Sequence, residues 1–528
     1  MDNEDAWLKF QLICKPEQSG KTFIMIEQIK EDLQFPEVGK ETINFILCDN
    51  NLLLTRQTSV RVDKDLTSYI HEGKTYIELS SHIRTTYHGT DSVFHAILTA
   101  NARNIICCTN GHRMDDIFNL INDINGNAFT SGKFIFNVWL DEADKFTRFI
   151  DNTLKPIVDE NDNVNVKLIT ATPRDLFNKY QYMNVLPIEE TTSREYHGWD
   201  DNHIRIIDKS GGCLEFADHV LSIVAAEPNL ILPGTKWFIP AKHTKRSHEL
   251  MRDLCVSKNM AVICVNGNGI SITLPDTLER INKPKDDELS HIVIKYYIEY
   301  GLHRFATAIT GYICIGRGVS IMSQSFMIDY AIYSQVSNKD EASQLAGRVK
   351  GNCKHYPNYK PPVVFVTENF DNIAREWEKQ SRELAQLAFA KEQDGLPTII
   401  DKNEFSTCAE NFEYICNPTL FDSFEKAKDF LRSKERSMRA KVKGTDTKKS
   451  VIHCVEGYYM TSKLVGENGV AGLTKEDRLT IARANAIAPS RCISSTDKGS
   501  RYLILPVYES MDSPPNSVKF QVRYINFK

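Results

Sequence analysis

Two adjacent carboxylates, Asp141 and Glu142, follow directly after a hydrophobic run from Phe134 to Leu140. Such a near-continuous apolar run is typical of a central strand in a parallel sheet that helices cover on both faces. Ligands of open α/β sheets bind at the carboxyl ends of the strands, so acids at this position are suited to holding a metal ion and activating water. The alternative is a solvated helix start, because the helix dipole favours acidic residues near its N-terminus.

A phosphate-binding loop is predicted at Lys15–Thr22, KPEQSGKT, between an apolar strand pattern and an amphipathic helical pattern. Backbone N–H groups at a helix start, a lysine and a hydroxyl are the groups that hold nucleotide phosphates and magnesium. Gly20, Lys21 and Thr22 fit this motif, whereas Lys15 stands where the motif has its first glycine. A lone Gly-Lys-Thr can equally be a structural turn, but its pairing with the two carboxylates favours a nucleotide site.

Composition sets outer bounds on the class of protein. The 528 residues are 41% hydrophobic and 25% charged, which is ordinary for a globular chain of about three domains of ~150 residues. The net charge of −5 provides no global attraction to nucleic acid, so such binding would need a local basic face. The thirteen cysteines include no CxxC pair, which favours a reduced compartment and no structural zinc. An acidic N-terminus and the lack of a long apolar stretch predict an intracellular protein without a membrane span.

Alternating strand and helix patterns predict an α/β fold with two tandem parallel-sheet domains. We assign the first domain to residues 1–185, a connector with a helix near Ala217–Ala226 to 186–234, and the second domain to 235–370. The predicted strands are 42–49, 75–81, 104–110, 134–140 and 166–170 in the first domain, and 235–241, 260–266, 304–310, 326–334 and 362–367 in the second.

The last third of the chain has a different pattern. Residues 371–450 are predicted to be helical and partly basic, with a long charged helix from Phe421 to Lys449. This helix is either a solvated spacer or a face that follows a phosphate backbone. Residues 451–528 are predicted to form a small α+β accessory module, with a helix start at Thr474–Asp477.

Six segments, in chain order, resemble motifs I, Ib, II, III, V and VI of the superfamily 2 DExD/H helicases. They are KPEQSGKT, TNGHRM (Thr109–Met114), LDEAD (Leu140–Asp144), TATP (Thr170–Pro173), ITGYICIGRGVSI (Ile309–Ile321) and QLAGRVKG (Gln344–Gly351). The resemblance covers about residues 10–352 and looks closest to the enzymes of large DNA viruses and phages. It implies two RecA-like domains with ATP in the cleft between them, nucleic acid across the top, and translocation driven by cleft closure.

The resemblance also implies a role for each matching residue. Gly20, Lys21 and Thr22 would bind the phosphates of ATP, Thr22 and Asp141 would hold Mg²⁺, and Glu142 would orient or deprotonate the attacking water. From the second domain, Gln344 and Arg348 would contact the nucleotide, with Arg348 as an arginine finger. Residues implied to contact nucleic acid are Arg56, Gln57, Thr109, Gly111, Arg113, Thr310 and Gly311, and those implied to couple hydrolysis to domain movement are Thr170 and Thr172.

Three positions depart from the family pattern. Besides Lys15, motif V has Ser320 where an aspartate is usual, and motif VI has Gly351 where a second arginine is usual. Arg348 would therefore be the sole finger of its motif, helped by Lys350 or Arg317. The sequence before the loop contains no adenine-reading glutamine motif.

The expected function is that of an ATP-dependent nucleic-acid helicase acting on DNA or RNA. One alternative is a translocase or remodeller that does not separate strands, and another is a non-catalytic nucleic-acid-binding scaffold with a decayed ATPase. The intact catalytic set argues against decay, and it comprises Lys21, Asp141, Glu142 and Arg348. Candidate protein partners are those of replication, transcription or recombination, and a viral protein of this class would act in the host cytoplasm or nucleus.

Overall fold

The computed structural model describes residues 7–49, 52–70, 73–79, 87–227, 230–283, 289–312, 321–336, 339–409, 412–434, 458–460, 463–465, 478–485 and 502–527. The chain divides into two compact units, residues 1–402 and 403–528. Three predicted features lie outside the described residues: the motif V segment 313–320 with Arg317 and Ser320, the part of the charged stretch from 435 to 449, and the helix start at Thr474–Asp477.

The first sheet of unit 1–402 is built mainly by the first third of the chain. Its strands are β1 (Phe10–Cys14), β2 (Glu41–Cys48), β3 (Ile77–Glu78), β4 (Asn104–Cys108), β5 (Phe134–Asp141), β6 (Val164–Thr170) and β7 (Tyr182–Val185). The following strands are β8 (Tyr196–His197), β9 (His203–Ile206), β10 (Lys236–Phe238), β11 (Met260–Asn266), β12 (Gly269–Thr273), β13 (Arg280–Lys283), β14 (Ala306–Gly311), β15 (Tyr330–Tyr333), β16 (Gly351–Asn352), β17 (Val363–Val366) and β18 (Ile399–Asp401).

The helices of unit 1–402 connect these strands. They are α1 (Lys21–Gln34), α2 (Leu52–Leu66), α3 (Thr90–Thr99), α4 (Gly111–Gly126), α5 (Thr147–Phe149), α6 (Lys155–Glu160), α7 (Arg174–Lys179), α8 (Cys213–Ala225), α9 (Lys245–Ser257), α10 (Leu289–Glu299), α11 (Lys339–Ala346), α12 (Glu368–Gln393) and α13 (Lys402–Ala409), which crosses the boundary between the units. A 3-10 turn at Ala143–Phe146 follows β5, a π-helical turn spans Ile150–Leu154, and a 3-10 turn at Gly347–Val349 follows α11.

Two sheets organise this unit. The first has the order β18-β7-β1-β6-β5-β2-β4-β3, and its strands pair in parallel except for β18 on β7. The second has the order β13-β12-β11-β14-β10-β15-β17-β9, parallel except for the β11-β12-β13 edge. We call the sheets with their helices the first and second domains. The predicted α/β class with two tandem parallel-sheet domains is confirmed.

Helices cover the second sheet on both faces, which explains why an inner strand such as β11 is buried along its whole length. On one face, Val220 of α8 and Met251 of α9 pack with Trp237 of β10. On the other face, Val293 of α10 and Phe370 of α12 belong to a second buried cluster. The residues assigned from sequence to a connector therefore supply β9 to the second sheet and α8 to one of its faces.

The position of β6 between β1 and β5 brings three motifs to one edge of the first sheet. Cys14, the last residue of β1, pairs with Thr170, the last residue of β6. Asp141, the last residue of β5, pairs with Ile169. Because the three strands are parallel, the loop after β1, the acids after β5 and the threonines after β6 emerge side by side.

Unit 403–528 contains an antiparallel sheet with helices on both faces. The strands are β19 (Phe412–Phe421), β20 (Tyr458–Met460), β21 (Lys463–Val465), β22 (Tyr502–Val507) and β23 (Lys519–Phe527), and the helices are α14 (Phe424–Lys434) and α15 (Ile481–Asn485). The sheet order is β19-β23-β22, and β20 pairs with β21. Leu431 of α14 packs on one face of the sheet, and Ala484 of α15 packs on the other. The predicted α+β character of the C-terminal region is thus confirmed.

The predicted charged helix from Phe421 is wrong at its start. Residues Phe412–Phe421 form a strand instead, and the helix begins at Phe424. The strand contains Asn417 and Pro418, and its register shifts between Cys416 and Leu420. A proline is tolerated in a strand at such an irregularity, but it hides the alternating pattern that would have predicted the strand. Across the ranges that the structure describes, no helix is both long enough and apolar enough to span a bilayer.

Candidate active site

The loop after β1 owes its shape to two left-handed residues. Gln18 has φ 58° and Gly20 has φ 98°, which is a backbone region that glycine adopts readily and other residues adopt at a cost. The Ser19 hydroxyl donates a hydrogen bond to the Pro16 carbonyl at 2.7 Å, closing the turn. Lys21 then begins α1, and its Nζ donates to the same carbonyl at 3.3 Å. The loop therefore delivers a lysine and the N-terminus of a 14-residue helix to one place.

The two carboxylates lie where β5 ends in a strained turn, with Asp141 half-buried and Glu142 buried. Asp141 accepts a hydrogen bond from the Glu142 backbone N–H at 3.0 Å. Glu142 is 4% exposed and has φ 56°, an uncommon conformation for a glutamate. Such strained residues cluster at functional sites. Burial and the neighbouring charge of Glu142 raise the pKa of Asp141 to about 7, although Lys21 opposes the shift.

The second domain contributes a buried guanidinium. Arg348, in the turn after α11, is 2% exposed, and its Nε donates to the Gln344 carbonyl at 3.3 Å. Its Nη1 is buried and has no partner among the described residues, as is also true of Gln344 Nε2. Burial lowers the pKa of Arg348 to about 10, so the guanidinium remains protonated at neutral pH.

These groups line one cavity of about 310 Å³ between the domains. Its walls include the predicted nucleotide-binding and catalytic residues, namely Gly20, Lys21, Thr22, Asp141, Glu142, Gln344 and Arg348. Two buried donors without acceptors suit the oxygens of a polyphosphate, because a buried donor left unpaired is costly. A hydroxyl and a carboxylate beside phosphates are also the usual ligands of Mg²⁺. The cavity residues therefore fit a magnesium–nucleotide complex.

The two threonines after β6 are bound to Asp144, the last acid of LDEAD. Thr170 Oγ1 donates to Asp144 Oδ1 at 2.7 Å, and Thr172 Oγ1 donates to Oδ2 at 3.0 Å. The Thr172 backbone N–H donates to Thr170 Oγ1 at 3.0 Å. All three side chains are buried, so this network ties the segment after β6 to the turn that carries Glu142.

Replacing Thr170 by valine should lower the free energy of unfolding by about 1 to 3 kcal/mol, because a buried carboxylate loses a hydrogen-bond donor. Urea denaturation of the purified protein measures this change. Thr99→Ala is the control, since the Thr99 hydroxyl is exposed and bonds within its own helix. An unfolding curve of Thr170→Val that superimposes on the wild-type curve would contradict the role given to this network.

The departure at Gly351 has a structural reason. Gly351 has φ 144°, and a Cβ at this position would lie 3.5 Å from the Cβ of Gln18. An arginine would therefore be strained there.

Lys350, considered as a helper of Arg348, is fully buried, and its Nζ lies 2.7 Å from Glu17 Oε2 and 3.3 Å from Glu378 Oε2. The Lys350 ammonium is therefore already paired with two carboxylates, Glu17 and Glu378.

The residues implied to contact nucleic acid lie outside this cavity, at two other strand ends and on α2. Thr109 follows β4, where its hydroxyl donates to the Cys48 carbonyl at 2.8 Å. Gly111 begins α4, and Arg113 is paired with Asp116 at 2.6 Å beside an open depression of about 840 Å³.

The remaining residues of this set are dispersed. Thr310 and Gly311 end β14, and the Thr310 hydroxyl is buried without a partner among the described residues. On α2, Arg56 is exposed and Gln57 is buried. The structure therefore does not bring the seven residues together in one pocket.

Sequence reasoning missed several residues at or beside the site. Glu17 and Ser343 contact each other across the domains, although 326 positions separate them. Asp144 could have been singled out as the last acid of LDEAD. Gln18 could not, because nothing in its type predicts a left-handed backbone.

No protein-family model matches the sequence, and no curated protein is similar to it. Among solved structures, the chain is similar to the DEAD-box helicase Mss116 bound to single-stranded RNA and UDP-BeF, with a TM-score of 0.42 and 11% identity over 77% of this chain and 84% of that chain. It is also similar to S. cerevisiae Dbp5 bound to Gle1 and IP6, with a TM-score of 0.37 and 12% identity over 70% and 81% of the two chains. The Mycobacterium smegmatis helicase Lhr, bound to single-stranded DNA and AMP-PNP, has a TM-score of 0.37 and 12% identity, covering 73% of this chain and 46% of Lhr.

Proposed function

We propose that this protein is an ATP-dependent nucleic-acid helicase. The observation that carries the proposal is the meeting of both domains at one cavity. The guanidinium of Arg348, whose Nη1 has no partner among the described residues, lies there with Lys21 and the two carboxylates Asp141 and Glu142. Nucleotide hydrolysis by positioning and electrostatic stabilisation requires a phosphate-binding loop, a metal-binding acid, a group that orients water and a cation facing the γ-phosphate.

Each cavity residue has a distinct chemical task in this proposal. Lys21 and the backbone at Gly20 bind the phosphates of ATP, and Thr22 with Asp141 would hold Mg²⁺. When bound, the metal ion supplies positive charge against the phosphate oxygens and the buried acids. Glu142 orients or deprotonates the attacking water. Arg348 stabilises charge that develops on the γ-phosphate, since its donors are already buried and need little reorganisation.

Coupling to nucleic acid is proposed through residues at two strand ends outside this cavity. Thr109, Gly111 and Arg113 follow β4, and Thr310 and Gly311 end β14. Together they offer hydroxyls, backbone N–H groups and one guanidinium for a phosphodiester backbone. The Asp144 network supports a coupling role for Thr170 and Thr172, because it joins the segment after β6 to the turn that carries Glu142.

The scaffold alternative is less well supported than hydrolysis. Gly351 fits its positive φ and its contact with Gln18, and Lys15 is buried at the loop, so neither departure needs loss of activity to explain it. The translocase alternative uses the same site and differs only in whether strands separate.

A strand-displacement assay tests the proposal. The wild type should release a labelled strand from a tailed DNA or RNA duplex only with ATP and magnesium, whereas Lys21→Ala should release none because it has lost the cation that binds phosphates. Lys30→Ala on the same helix is the control, since Lys30 pairs with Glu27 away from the cavity. ATP hydrolysis without displacement of any duplex would favour the translocase.

A further inference from the structure

A buried ion pair crosses the cleft beside the proposed ATP site. Glu17, in the middle of the phosphate loop, is 3% exposed, and Lys350 of the second domain is 1% exposed. Lys350 Nζ donates to Glu17 Oε2 at 2.7 Å, and the Ser343 hydroxyl donates to Glu17 Oε1. Although burial opposes both shifts, each charge favours the other, so the pKa of Glu17 is lowered and that of Lys350 is raised. Both groups are therefore ionised at neutral pH.

The pair belongs to a larger network. Lys350 Nζ also lies 3.3 Å from Glu378 Oε2 on α12, and that oxygen accepts the Trp199 backbone N–H at 2.9 Å. Arg382 pairs with the other oxygen of Glu378. Two carboxylates thus face two cations, and the four charges sum to zero.

The backbones of the two domains also meet at this pair. A Cβ on Gly347 would lie only 2.9 Å from the Cβ of Glu17, so the turn that carries Arg348 could not approach the loop with a larger residue. Gly351 also lies beside the loop, where a Cβ would be 3.5 Å from the Cβ of Gln18, an ordinary contact distance. The Tyr196 hydroxyl, from β8, donates to the Glu17 carbonyl at 3.0 Å.

We propose that Glu17 and Lys350 are positioning residues that hold the phosphate loop in register with Arg348. This inference rests on the proposed ATPase function. The loop lacks the first glycine of its motif and holds Gln18 in a left-handed conformation, so groups from outside the loop must fix its shape. Because Lys350 is two residues from Arg348, the same ion pair fixes the positions of both the phosphate loop and Arg348.

The test compares ATP binding and turnover in a set of variants. Lys350→Met leaves the buried Glu17 carboxylate without its cation, and Glu17→Gln leaves the buried Lys350 ammonium with Glu378 alone. Each change should therefore raise the dissociation constant of a fluorescent ATP analogue at least about tenfold. The double variant should bind within about threefold of the weaker single variant, because contacting residues are not additive. Lys350→Arg should restore part of the affinity.

Lys354→Met is the matched control. Lys354 is on the same segment and pairs with Asp201 at 3.0 Å, away from the loop, so this variant should bind the analogue like the wild type. All measurements are made well below the melting temperature of each variant, so that a merely structural role would leave the dissociation constant unchanged.

Wild-type affinity in both folded single variants would overturn the inference. If neither single variant folds, Ser343→Ala provides the test of the inference, since it removes only the hydroxyl that donates a hydrogen bond to Glu17. It should weaken binding about threefold, near the lower end of the range for one hydrogen bond, and unchanged binding would overturn the inference. Absence of phosphate release by the wild type would refute the proposed ATPase, whereas equal binding by an active wild type and its variants would refute only the ion-pair role.

Discussion

Replacing Glu142 by glutamine should reduce ATP hydrolysis by about 10² to 10⁴-fold, the usual contribution of a positioned general base. The amide keeps the shape of the side chain but cannot accept a proton from water. ATP binding should remain close to wild type, since Glu142 acts on water and not on the phosphates. Steady-state phosphate release measures turnover, and equilibrium binding of a fluorescent ATP analogue measures affinity.

Glu160→Gln is the control for this change. Glu160 is an exposed glutamate at the end of α6, so its loss of charge should alter neither quantity. Hydrolysis by Glu142→Gln at the wild-type rate would show that another group activates the water.

Replacing Arg348 by alanine should reduce the nucleic-acid-stimulated rate at least about a hundredfold, because arginine fingers contribute ~10³ to 10⁵ in rate. Arg348→Lys should recover little of this rate, since an ammonium cannot reproduce the planar, forked hydrogen bonding of a guanidinium. The expected loss is in kcat, whereas the Glu17 and Lys350 variants are expected to lose affinity.

A second readout separates this role from a structural one. Arg348 Nη1 is buried without a partner among the described residues, so Arg348→Met should leave the melting temperature of the nucleotide-free protein unchanged or raise it. Arg205→Ala is the control for activity, because Arg205 pairs with Glu227 at 3.3 Å on an exposed surface. A large fall in melting temperature with an unchanged rate would make Arg348 a structural residue.

The sequence predicts the elements whose local pattern is strong. The apolar run ending at Asp141 predicts a central strand, and the Gly-Lys-Thr after β1 predicts a loop and helix start, because both signals are contained in a few consecutive residues. Their meeting with Arg348 was implied only by the resemblance to helicase motifs, and all of these residues line the cavity.

What the sequence could not predict depends on contacts between distant segments. Glu17 and Lys350 are 333 positions apart, and charged residues are rarely expected to be buried. The edge strand β9 is only four residues long and largely exposed, so its alternation of polar and apolar residues is too short to mark a strand. The strand β18 joins the first sheet only because α12 returns the chain to that domain.

The central claim is that the cavity between the two domains hydrolyses ATP under the control of nucleic acid. It is tested most directly by the rate of phosphate release from ATP by the purified protein, alone and with single-stranded DNA, duplex DNA and RNA in parallel. The expected result is a low basal rate that at least one nucleic acid stimulates and that Glu142→Gln abolishes. A wild-type protein that releases no phosphate above the Glu142→Gln background, with any of the three nucleic acids, would contradict it.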